Sequence, residues 1–201
     1  LGEGLAGSGR LSQAAMDRKP GALQVCADKL QRRRVHLARS VATEACRRAE
    51  NGPEFIERVR QETGIALDII SAKEEARLAV LGCHILLEQG DGPAIIFDIC
   101  GGSTELVLVE QGDAPLPRIV DWMSVPWGVV SLTETCGIEP AGADGRAARY
   151  AEMRRRVRES LAPFADRLQP TLEQHERAQP LRLLGTSGTV TTLASLHLEL
   201  P

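Results

Sequence analysis

The sequence has no apolar run long enough to cross a membrane. Its two longest apolar stretches, residues 79–87 and 93–100, are interrupted by His84 and Asp98 and fall far short of the roughly 18 residues that a membrane helix needs. The first ten residues are rich in glycine, and no apolar segment of a signal peptide follows them. We therefore expect a cytoplasmic protein that has no membrane partner.

Paired cysteines and an excess of basic charge are also lacking. The five cysteines are an odd number, and no Cys-x-x-Cys pair occurs. Neither a disulfide framework nor a zinc site is therefore predicted, and a reducing compartment fits the pattern. The 24 lysines and arginines are balanced by 27 acidic residues, a net charge of −3. This charge is not typical of a nucleic-acid-binding protein.

The composition and the pattern of elements indicate a soluble α/β chain. The 201 residues are 43% hydrophobic and 25% charged, which suits about one to two globular domains. Predicted helices cover residues 20–34 (with Pro20 in the first turn), 44–50, 53–62, 72–87 and 145–168, and one more follows residue 189. Predicted strands cover residues 35–42, 66–71, 94–99, 105–110, 118–123 and 181–184. Alternating strands and helices predict an α/β fold, and a hairpin over residues 94–110 makes the predicted sheet mixed.

The strongest chemical signal is the segment 95–106, with the sequence Ile-Ile-Phe-Asp-Ile-Cys-Gly-Gly-Ser-Thr-Glu-Leu. A buried strand delivers Asp98 to its end, and a turn rich in glycine and hydroxyl groups follows at once: Gly101, Gly102, Ser103 and Thr104. Glycine N–H groups can approach an anion closely, and hydroxyl groups can donate further hydrogen bonds. An acidic residue beside an anion makes sense where a cation or an attacking water lies between them. The alternative is a tight hairpin with a polar tip.

Two other segments carry weaker signals. Residues 185–189, which include Gly185, Ser187, Gly188 and Thr189, link a strand to a helix whose N-terminus could hold a phosphate. The alternative there is an ordinary strand-to-helix turn. Glu74 and Glu75 lie in the first turn of the helix predicted at 72–87, where carboxylates stabilise the helix dipole. One of the two could instead act as a general base on water, and their positions do not separate them.

Several catalytic motifs fail on inspection. Cys26 and Arg32 have the spacing of a cysteine phosphatase, but the residues between them lack a glycine-rich cradle. Segment 101–105 is not a Gly-x-Ser-x-Gly elbow, because Glu105 stands in place of the final glycine. A Gly-x4-Gly-Lys-[Ser/Thr] loop is absent from the sequence.

The ordered motifs resemble those of the exopolyphosphatase/guanosine pentaphosphate phosphohydrolase (Ppx/GppA) family, in the actin-like, sugar-kinase superfamily. Residues 70–78 (Ile-Ser-Ala-Lys-Glu-Glu-Ala-Arg-Leu) are similar to its Ile-Ser-Gly-x-Glu-Glu-Ala-Arg-Leu block. Residues 98–106 are similar to its Asp-Ile-Gly-Gly-Gly-Ser-Thr-Glu-Leu block. Further blocks match at residues 1–12, 41–47, 124–134 and 185–192, so the resemblance covers almost the whole chain.

The resemblance implies a role for each matched residue. Glu75 falls on the catalytic base of the family, and Asp98 and Glu105 fall on acidic active-site residues that bind a divalent cation such as Mg²⁺. Arg47 falls on a phosphate-contacting arginine. The remaining predicted phosphate-binding residues are Gly101, Gly102, Ser103, Thr104, Gly185, Ser187, Gly188 and Thr189. The implied reaction releases the terminal phosphate of inorganic polyphosphate or guanosine pentaphosphate.

The chain departs from the family pattern at two glycines and at its start. Cys100 stands where the family has the first of three glycines, and Ala72 replaces another. A cysteine with positive φ would be strained, so we expect a β-region φ at Cys100. The first phosphate loop of the family is expected before Leu1, so the chain resembles an internal fragment that is inactive by itself. Cys100 and the missing loop motivate the alternative of a non-catalytic sensor that binds polyphosphate or a nucleotide.

The predicted architecture is a two-lobed actin-like ATPase (ribonuclease H-like) fold of the α/β class with mixed sheets. Residues 1–71 are expected to be the remainder of the first lobe. Residues 72–201 are expected to be the second lobe, with the catalytic glutamate and the phosphate loops. A kinase or ATPase of the same superfamily is a third interpretation. The sequence leaves open the choice between the two substrates and whether the protein is a homodimer.

Overall fold

The computed structural model describes residues 1–87, 92–112, 114–137, 142–174 and 180–200. The chain divides into two compact units, Leu1–Ala72 and Lys73–Pro201. Each unit has its own buried apolar cluster or clusters, so each is described by itself.

The first unit packs four helices around a two-stranded parallel sheet. Its elements are α1 (Leu5–Ser8), α2 (Gln13–Arg32), β1 (Ser40–Ala42), α3 (Glu44–Arg48), α4 (Gly52–Thr63) and β2 (Leu67–Ile69). Leu11, Met16, Phe55 and Val59 are buried in its core. Gly64 ends α4 with a φ of 73°, in the left-handed region that glycine adopts without a Cβ penalty.

The prediction for the start of α2 was wrong, and so was the length of the strand that follows. Ser12 begins α2 because its side chain accepts a hydrogen bond from Ala15 N at 3.2 Å. Pro20 therefore lies inside the helix, where it is buried, and not in the first turn. After the helix, Arg34 has a φ of 53°, a left-handed conformation that redirects the chain. The strand predicted at 35–42 covers only Ser40–Ala42 in the structure.

The second unit is built on a mixed four-stranded sheet, as predicted. Its elements are α5 (Ala72–Cys83), a 3₁₀ turn (His84–Leu86), β3 (Ala94–Ile99), β4 (Thr104–Glu110), β5 (Arg118–Val125), α6 (Val129–Thr135), α7 (Ala143–Gln174), β6 (Arg182–Thr186) and α8 (Ser187–His197). The strand order is β5-β4-β3-β6. Neighbouring strands among β3, β4 and β5 are antiparallel, whereas β3 and β6 are parallel.

Strand alternation gives the sheet two faces with different helices. Ile96 and Val107 share one buried cluster with Ala76 and Val80 of α5. The cluster on the other face combines β-strand and α7 side chains: Ile95, Leu108, Phe164 and Leu168. Because successive side chains of a strand point to opposite faces, the even positions of β3 and the odd positions of β4 belong to the α5 face.

The helices of the second unit differ from the prediction in number and in length. Helix α6 was not predicted. Helix α7 is longer than the predicted 145–168, because it continues past residue 168 and accommodates Pro170. Among the described residues, no helix combines the length and the apolar character needed to span a membrane.

Candidate active site

A row of polar side chains crosses the sheet where β3 ends and β4 begins. Asp98 is the register partner of Glu105 across the β3–β4 pair, and Glu105 is the partner of Ser124 on β5. Directly opposed residues in antiparallel strands project to the same face. By strand alternation that face is the one covered by α5. Asp98 and Glu105 are therefore the next residues on this face after the apolar side chains of β3 and β4 that pack against α5.

Helix α5 adds a third carboxylate to this row. The Glu75 charge acts on both Cys100 and Glu105, and it helps to raise the pKa of each group. Glu74, one residue earlier, is engaged elsewhere: both of its carboxylate oxygens accept hydrogen bonds from Arg77, at 2.7 and 2.9 Å. The Glu75 carboxylate is thus close enough to the acidic row for its charge to act on Glu105 and Cys100, and its role as catalytic base stays a prediction.

Burial dominates the electrostatics of Glu105. The residue is only 2% exposed, and this burial raises the pKa of its carboxyl, an effect to which the charges of Glu75 and Asp98 add. The hydroxyls of Ser103 and Ser124 oppose the rise in pKa. Ser124 Oγ donates to Glu105 Oε1 at 3.0 Å, whereas Ser103 Oγ lies nearby without good hydrogen-bonding geometry.

Three oxygens of this row are buried without a hydrogen-bond partner among the described residues: Asp98 Oδ1, Ser103 Oγ and Glu105 Oε2. Unpaired buried carboxylate oxygens are costly, and a cation would satisfy them. Carboxylate and hydroxyl oxygens are ligands that Mg²⁺ prefers. The residues present therefore fit the divalent cation that the family resemblance implies at Asp98 and Glu105.

Cys100 lies beside the two carboxylates. The ligand atoms of Asp98, Cys100 and Glu105 are all within 4.8 Å of one another. Burial, with the neighbouring carboxylates adding to it, raises the pKa of Cys100 to about 12, so at neutral pH the thiol is protonated and is not a ligand for Mg²⁺. The φ angle of Cys100 is not positive, so cysteine occupies this position of the turn without left-handed strain.

The turn between β3 and β4 is held in place by helix α6. Cys100 N donates to Ser103 O at 3.0 Å, and Val129 N donates to Cys100 O at 3.1 Å. Val130 N and Ser131 N both donate to Gly101 O, at 2.9 and 3.1 Å. The N–H groups at the start of α6 are thus used to fix the turn and are not left for a ligand.

Of the phosphate-binding groups predicted in the turn, the two glycine N–H groups remain open, but the hydroxyl of Thr104 does not. The N–H groups of Gly101 and Gly102 make no hydrogen bond within the described part of the chain, as an anion-binding turn requires. Thr104 Oγ1, however, donates to Trp127 O at 2.6 Å. In this structure the threonine hydroxyl therefore anchors the segment before α6.

Sequence reasoning missed Gly128 and Ser131 as supports of the turn. A Cβ on Gly128 would lie 2.4 Å from Cys100 O and 2.4 Å from Gly101 C, so only glycine allows this approach of main chain to main chain. Ser131 Oγ accepts from Gly128 N at 2.9 Å and donates to Gly102 O at 3.1 Å. The available signal was a glycine followed three residues later by a serine at a helix start.

The second glycine-containing segment is a direct junction of β6 and α8, with no loop between them. Thr186 precedes the helix without capping it through its side chain. The first N–H groups of α8, those of Gly188 and Thr189 among them, consequently have no acceptor from a preceding helical turn. Such an uncapped helix start is a favourable place for an anion.

Ser187 fixes this junction beside the hairpin turn. It has a φ of 78°, a strained value for a residue with a Cβ, and its hydroxyl donates to Ile99 O at 2.6 Å. Gly185 lies within β6, and a Cβ there would meet Phe97 at 2.6 Å and Val190 at 2.7 Å. The structure thus gives Gly185 a packing role, and it places the start of α8 next to the end of β3.

Arg47, the predicted phosphate-contacting arginine, lies in the first unit. Its Nη1 donates to Ile70 O at 2.8 Å and its Nη2 donates to Glu44 Oε2 at 2.7 Å. The guanidinium is therefore held in a defined orientation by α3 and the segment after β2. Its phosphate contact stays a prediction.

The chain matches the Ppx/GppA phosphatase family over residues 1–200. It is 33% identical over 205 residues to exopolyphosphatase 2 of Mycobacterium tuberculosis (strain CDC 1551 / Oshkosh), an alignment that covers 98% of this chain and 58% of that protein. It is 29% identical to the guanosine-5'-triphosphate,3'-diphosphate pyrophosphatase of Aeromonas hydrophila subsp. hydrophila, covering 98% of this chain and 37% of that protein. The chain thus spans only part of the length of the curated relatives it matches.

Solved structures agree with this match. An exopolyphosphatase from Cytophaga hutchinsonii superposes with a TM-score of 0.79 at 25% identity, covering 96% of this chain and 57% of that one. The Aquifex aeolicus PPX-GPPA enzyme superposes with a TM-score of 0.67 at 26% identity, covering 99% and 60%. The fold is therefore that of these phosphatases, and the predicted α/β class with a mixed sheet is confirmed.

Proposed function

Since the chain belongs to the Ppx/GppA phosphatase family, we propose that the protein is a phosphohydrolase acting on acid anhydrides. Its proposed substrates are inorganic polyphosphate and guanosine pentaphosphate, from which it releases the terminal phosphate. The names of the relatives, an exopolyphosphatase and a guanosine pentaphosphate pyrophosphatase, support both substrates. The choice between the two is left to experiment.

One observation carries the proposal: buried carboxylate oxygens lie beside main-chain N–H groups that are open to an anion. Asp98 and Glu105 supply the oxygens, and the turn at Gly101 and Gly102 supplies N–H groups on the same hairpin. Carboxylates and a phosphate repel each other unless a cation or a reacting water stands between them. The arrangement therefore suits hydrolysis of a phosphoanhydride better than simple anion binding.

In the proposed mechanism, Glu75 orients a water molecule and accepts its proton as the water attacks the terminal phosphorus in line with the leaving oxygen. The N–H groups of Gly101, Gly102 and the first turn of α8 hold the phosphoryl oxygens, where their dipoles stabilise developing negative charge. We assign Glu75 to the water because it falls on the catalytic base of the family and because its charge acts on Glu105 and Cys100.

Asp98 and Glu105 would hold the divalent cation, Mg²⁺ on the chemistry of their oxygens. When bound there, such an ion neutralises charge on the substrate phosphates and on the two buried carboxylates. Such an ion would also satisfy Glu105 Oε2, the oxygen of this buried carboxylate that has no hydrogen-bond partner among the described residues.

The test is a colorimetric assay of phosphate release by the full-length protein, with Mg²⁺, on polyphosphate and on guanosine pentaphosphate. We expect Glu75→Gln to lower release by about 10²- to 10⁴-fold, the usual contribution of a general base. Binding of polyphosphate, measured separately, should persist. Glu74→Gln is the matched control, because it removes the neighbouring carboxylate of the same helical turn and should change release little.

Equal rates for Glu75→Gln and the unaltered protein would refute the assignment of the base. Binding of polyphosphate or nucleotide with no release under any of these conditions would favour the non-catalytic sensor. Phosphorylation of an acceptor at the expense of ATP would instead indicate a kinase of the same superfamily.

Other elements of the proposal have narrower support. Arg47 is proposed to contact a substrate phosphate, since a planar guanidinium suits that contact. The remaining proposed phosphate-binding residues are Ser103, Thr104, Gly185, Ser187 and Thr189. Among them, Thr104 acts indirectly by anchoring the segment before α6, and Gly185 acts indirectly by allowing close packing against Phe97. A cytoplasmic location is proposed because all five cysteines are free thiols.

A further inference from the structure

Strand geometry directs the Cys100 side chain toward the two carboxylates. Cys100 comes two positions after Asp98, so it continues the same side of β3. Its main chain is held from two directions, by Ser103 O and by Val129 N. These constraints bring its sulfur within 4.8 Å of ligand oxygens of both Asp98 and Glu105.

The surroundings of this cluster offer oxygens that a cation would satisfy. Glu105 and Ser103 are 2% and 1% exposed, and each has a buried oxygen without a hydrogen-bond partner in the described residues. A hard ion such as Mg²⁺ uses oxygens and leaves a sulfur aside. A thiophilic ion of the Zn²⁺ class can use two carboxylates and a thiolate together.

We propose that Asp98, Cys100 and Glu105 form a mixed thiolate–carboxylate site for a thiophilic divalent cation, which competes with Mg²⁺ for the same carboxylates. On binding, the Cys100 thiol proton leaves to solvent and the sulfur lone pair forms the bond to the metal, with no change of oxidation state. The predicted consequence is inhibition by zinc-class ions. Only this consequence rests on the proposed hydrolase function.

The distances suit such a site after small side-chain movements. Bonds of about 2.0–2.3 Å in a tetrahedral complex hold ligand atoms roughly 3.5 Å apart. The three ligand atoms are now at most 4.8 Å apart, so movements on the order of 1 Å bring them onto one ion. Three protein ligands leave a fourth position open for water.

Binding can be tested without any assay of activity. Metal-free protein is titrated with Cd²⁺, a spectroscopic probe for zinc-class sites, and the ultraviolet thiolate-to-cadmium charge-transfer absorption is recorded. We expect a band that is lost in Cys100→Ala and in Cys100→Ser. It should persist in Cys136→Ala, which removes another partly exposed thiol, outside the cluster. Excess Mg²⁺ should weaken cadmium binding.

The second measurement is inhibition of phosphate release by Zn²⁺ at fixed Mg²⁺. We expect the inhibitory concentration to rise by about 10- to 100-fold in Cys100→Gly, the size of effect usual when a metal site is weakened. Circular dichroism confirms that each variant is folded.

The two proposals fail in different ways. A cadmium band that survives in folded Cys100→Ala or Cys100→Ser overturns the mixed site, even if phosphate is released normally. The absence of a band in the unaltered protein does the same. Absence of phosphate release, with a band that depends on Cys100, overturns the hydrolase and leaves the metal site standing.

Discussion

Two glycine-containing segments meet at one end of the second unit's sheet, and they are supported in different ways. In the hairpin turn after β3, helix α6 binds the main-chain carbonyls of Cys100 and Gly101. At the junction of β6 and α8, the helix start is uncapped, and its position is set by the pairing of β6 with β3 and by the hydroxyls of Thr186 and Ser187, which donate to Phe97 O and Ile99 O. The turn is therefore braced by another helix, whereas the junction uses its own helix N-terminus.

The difference shows that similar residue patterns can serve different tasks. In the turn, the N–H groups of the glycines remain open, while the carbonyls of Cys100 and Gly101 accept hydrogen bonds from the start of α6. At the junction, Gly185 makes room for Phe97, and the helix geometry itself supplies the open N–H groups. A glycine in such a segment can thus serve ligand binding, close packing or neither, and substitution by alanine distinguishes these cases.

The largest effect is expected for Gly128→Ala, which attacks the support of the turn. The added Cβ would meet main-chain atoms of Cys100 and Gly101 at 2.4 Å, and main chain cannot yield as a side chain can. We expect the free energy of unfolding to fall by about 3 kcal/mol, the upper range for overpacking, as measured by urea denaturation. Gly101→Ala is the control, because its Cβ would meet only Val130, at 3.5 Å. Equal losses in both variants would contradict the assigned support.

Gly185→Ala tests the junction and should have a smaller effect. The added Cβ would meet side chains only, Phe97 at 2.6 Å and Val190 at 2.7 Å, and these can move. A loss of about 1–2 kcal/mol is expected. Adding Val190→Ala should restore part of it, because one of the two contacts is then removed. Two strictly additive losses would show that Val190 is not the obstacle.

Glu105→Gln should alter how stability depends on pH. Burial raises the folded-state pKa of Glu105 above its ordinary value of 4.5. The protonated Glu105 therefore contributes stability below the ordinary pKa, and this contribution is lost as the pH rises through the raised pKa. The measurement is made with a chelator present. Relative to the glutamine variant, the free energy of unfolding of the unaltered protein should fall by about 1.4 kcal/mol for each pH unit that separates the folded and unfolded pKa values of Glu105. Urea midpoints from pH 4 upward, about where glutamate begins to ionise, measure this, and parallel curves would contradict it.

Gly188→Ala should have the smallest effect and the opposite sign. Its Cβ would meet nothing within 4 Å, its φ is not positive, and it lies in the first turn of α8. Alanine should stabilise the helix by at most about 0.5–1 kcal/mol. A clear loss in thermal denaturation would show that the helix start is more crowded than its structure indicates.

Much of the second unit could be predicted from its residues. The run of apolar residues at 94–99 predicted β3 to the residue, and the close spacing of β3 and β4 predicted the antiparallel hairpin. The pairing of Asp98 with Glu105 was implied only by the family resemblance, and the strand register then placed the two residues opposite each other. Residues 98–105 were therefore a candidate site before the geometry was known, and their role stays a prediction.

Long-range contacts explain what could not be predicted. The pairing of Glu74 with Arg77 is a local i,i+3 contact, but nothing near Glu75 in sequence showed that its charge would act on Glu105 and Cys100. The role of Gly128 depends on main-chain atoms of Cys100 and Gly101, more than 25 positions earlier. Likewise, Ser12 and not Pro20 begins α2, because a capping hydroxyl and tertiary burial outweigh the local preference of proline.

The pairing of β3 with two very different partners has a consequence for how the protein folds. Ala94 pairs with Val109, 15 positions away, and also with Arg182, 88 positions away. Closing the longer loop costs more chain entropy, and distant pairings form slowly. The two carboxylates should therefore assemble early in the hairpin, and the start of α8 should join them late. A refolding chain would then acquire its cation ligands before it acquires the full set of phosphate donors.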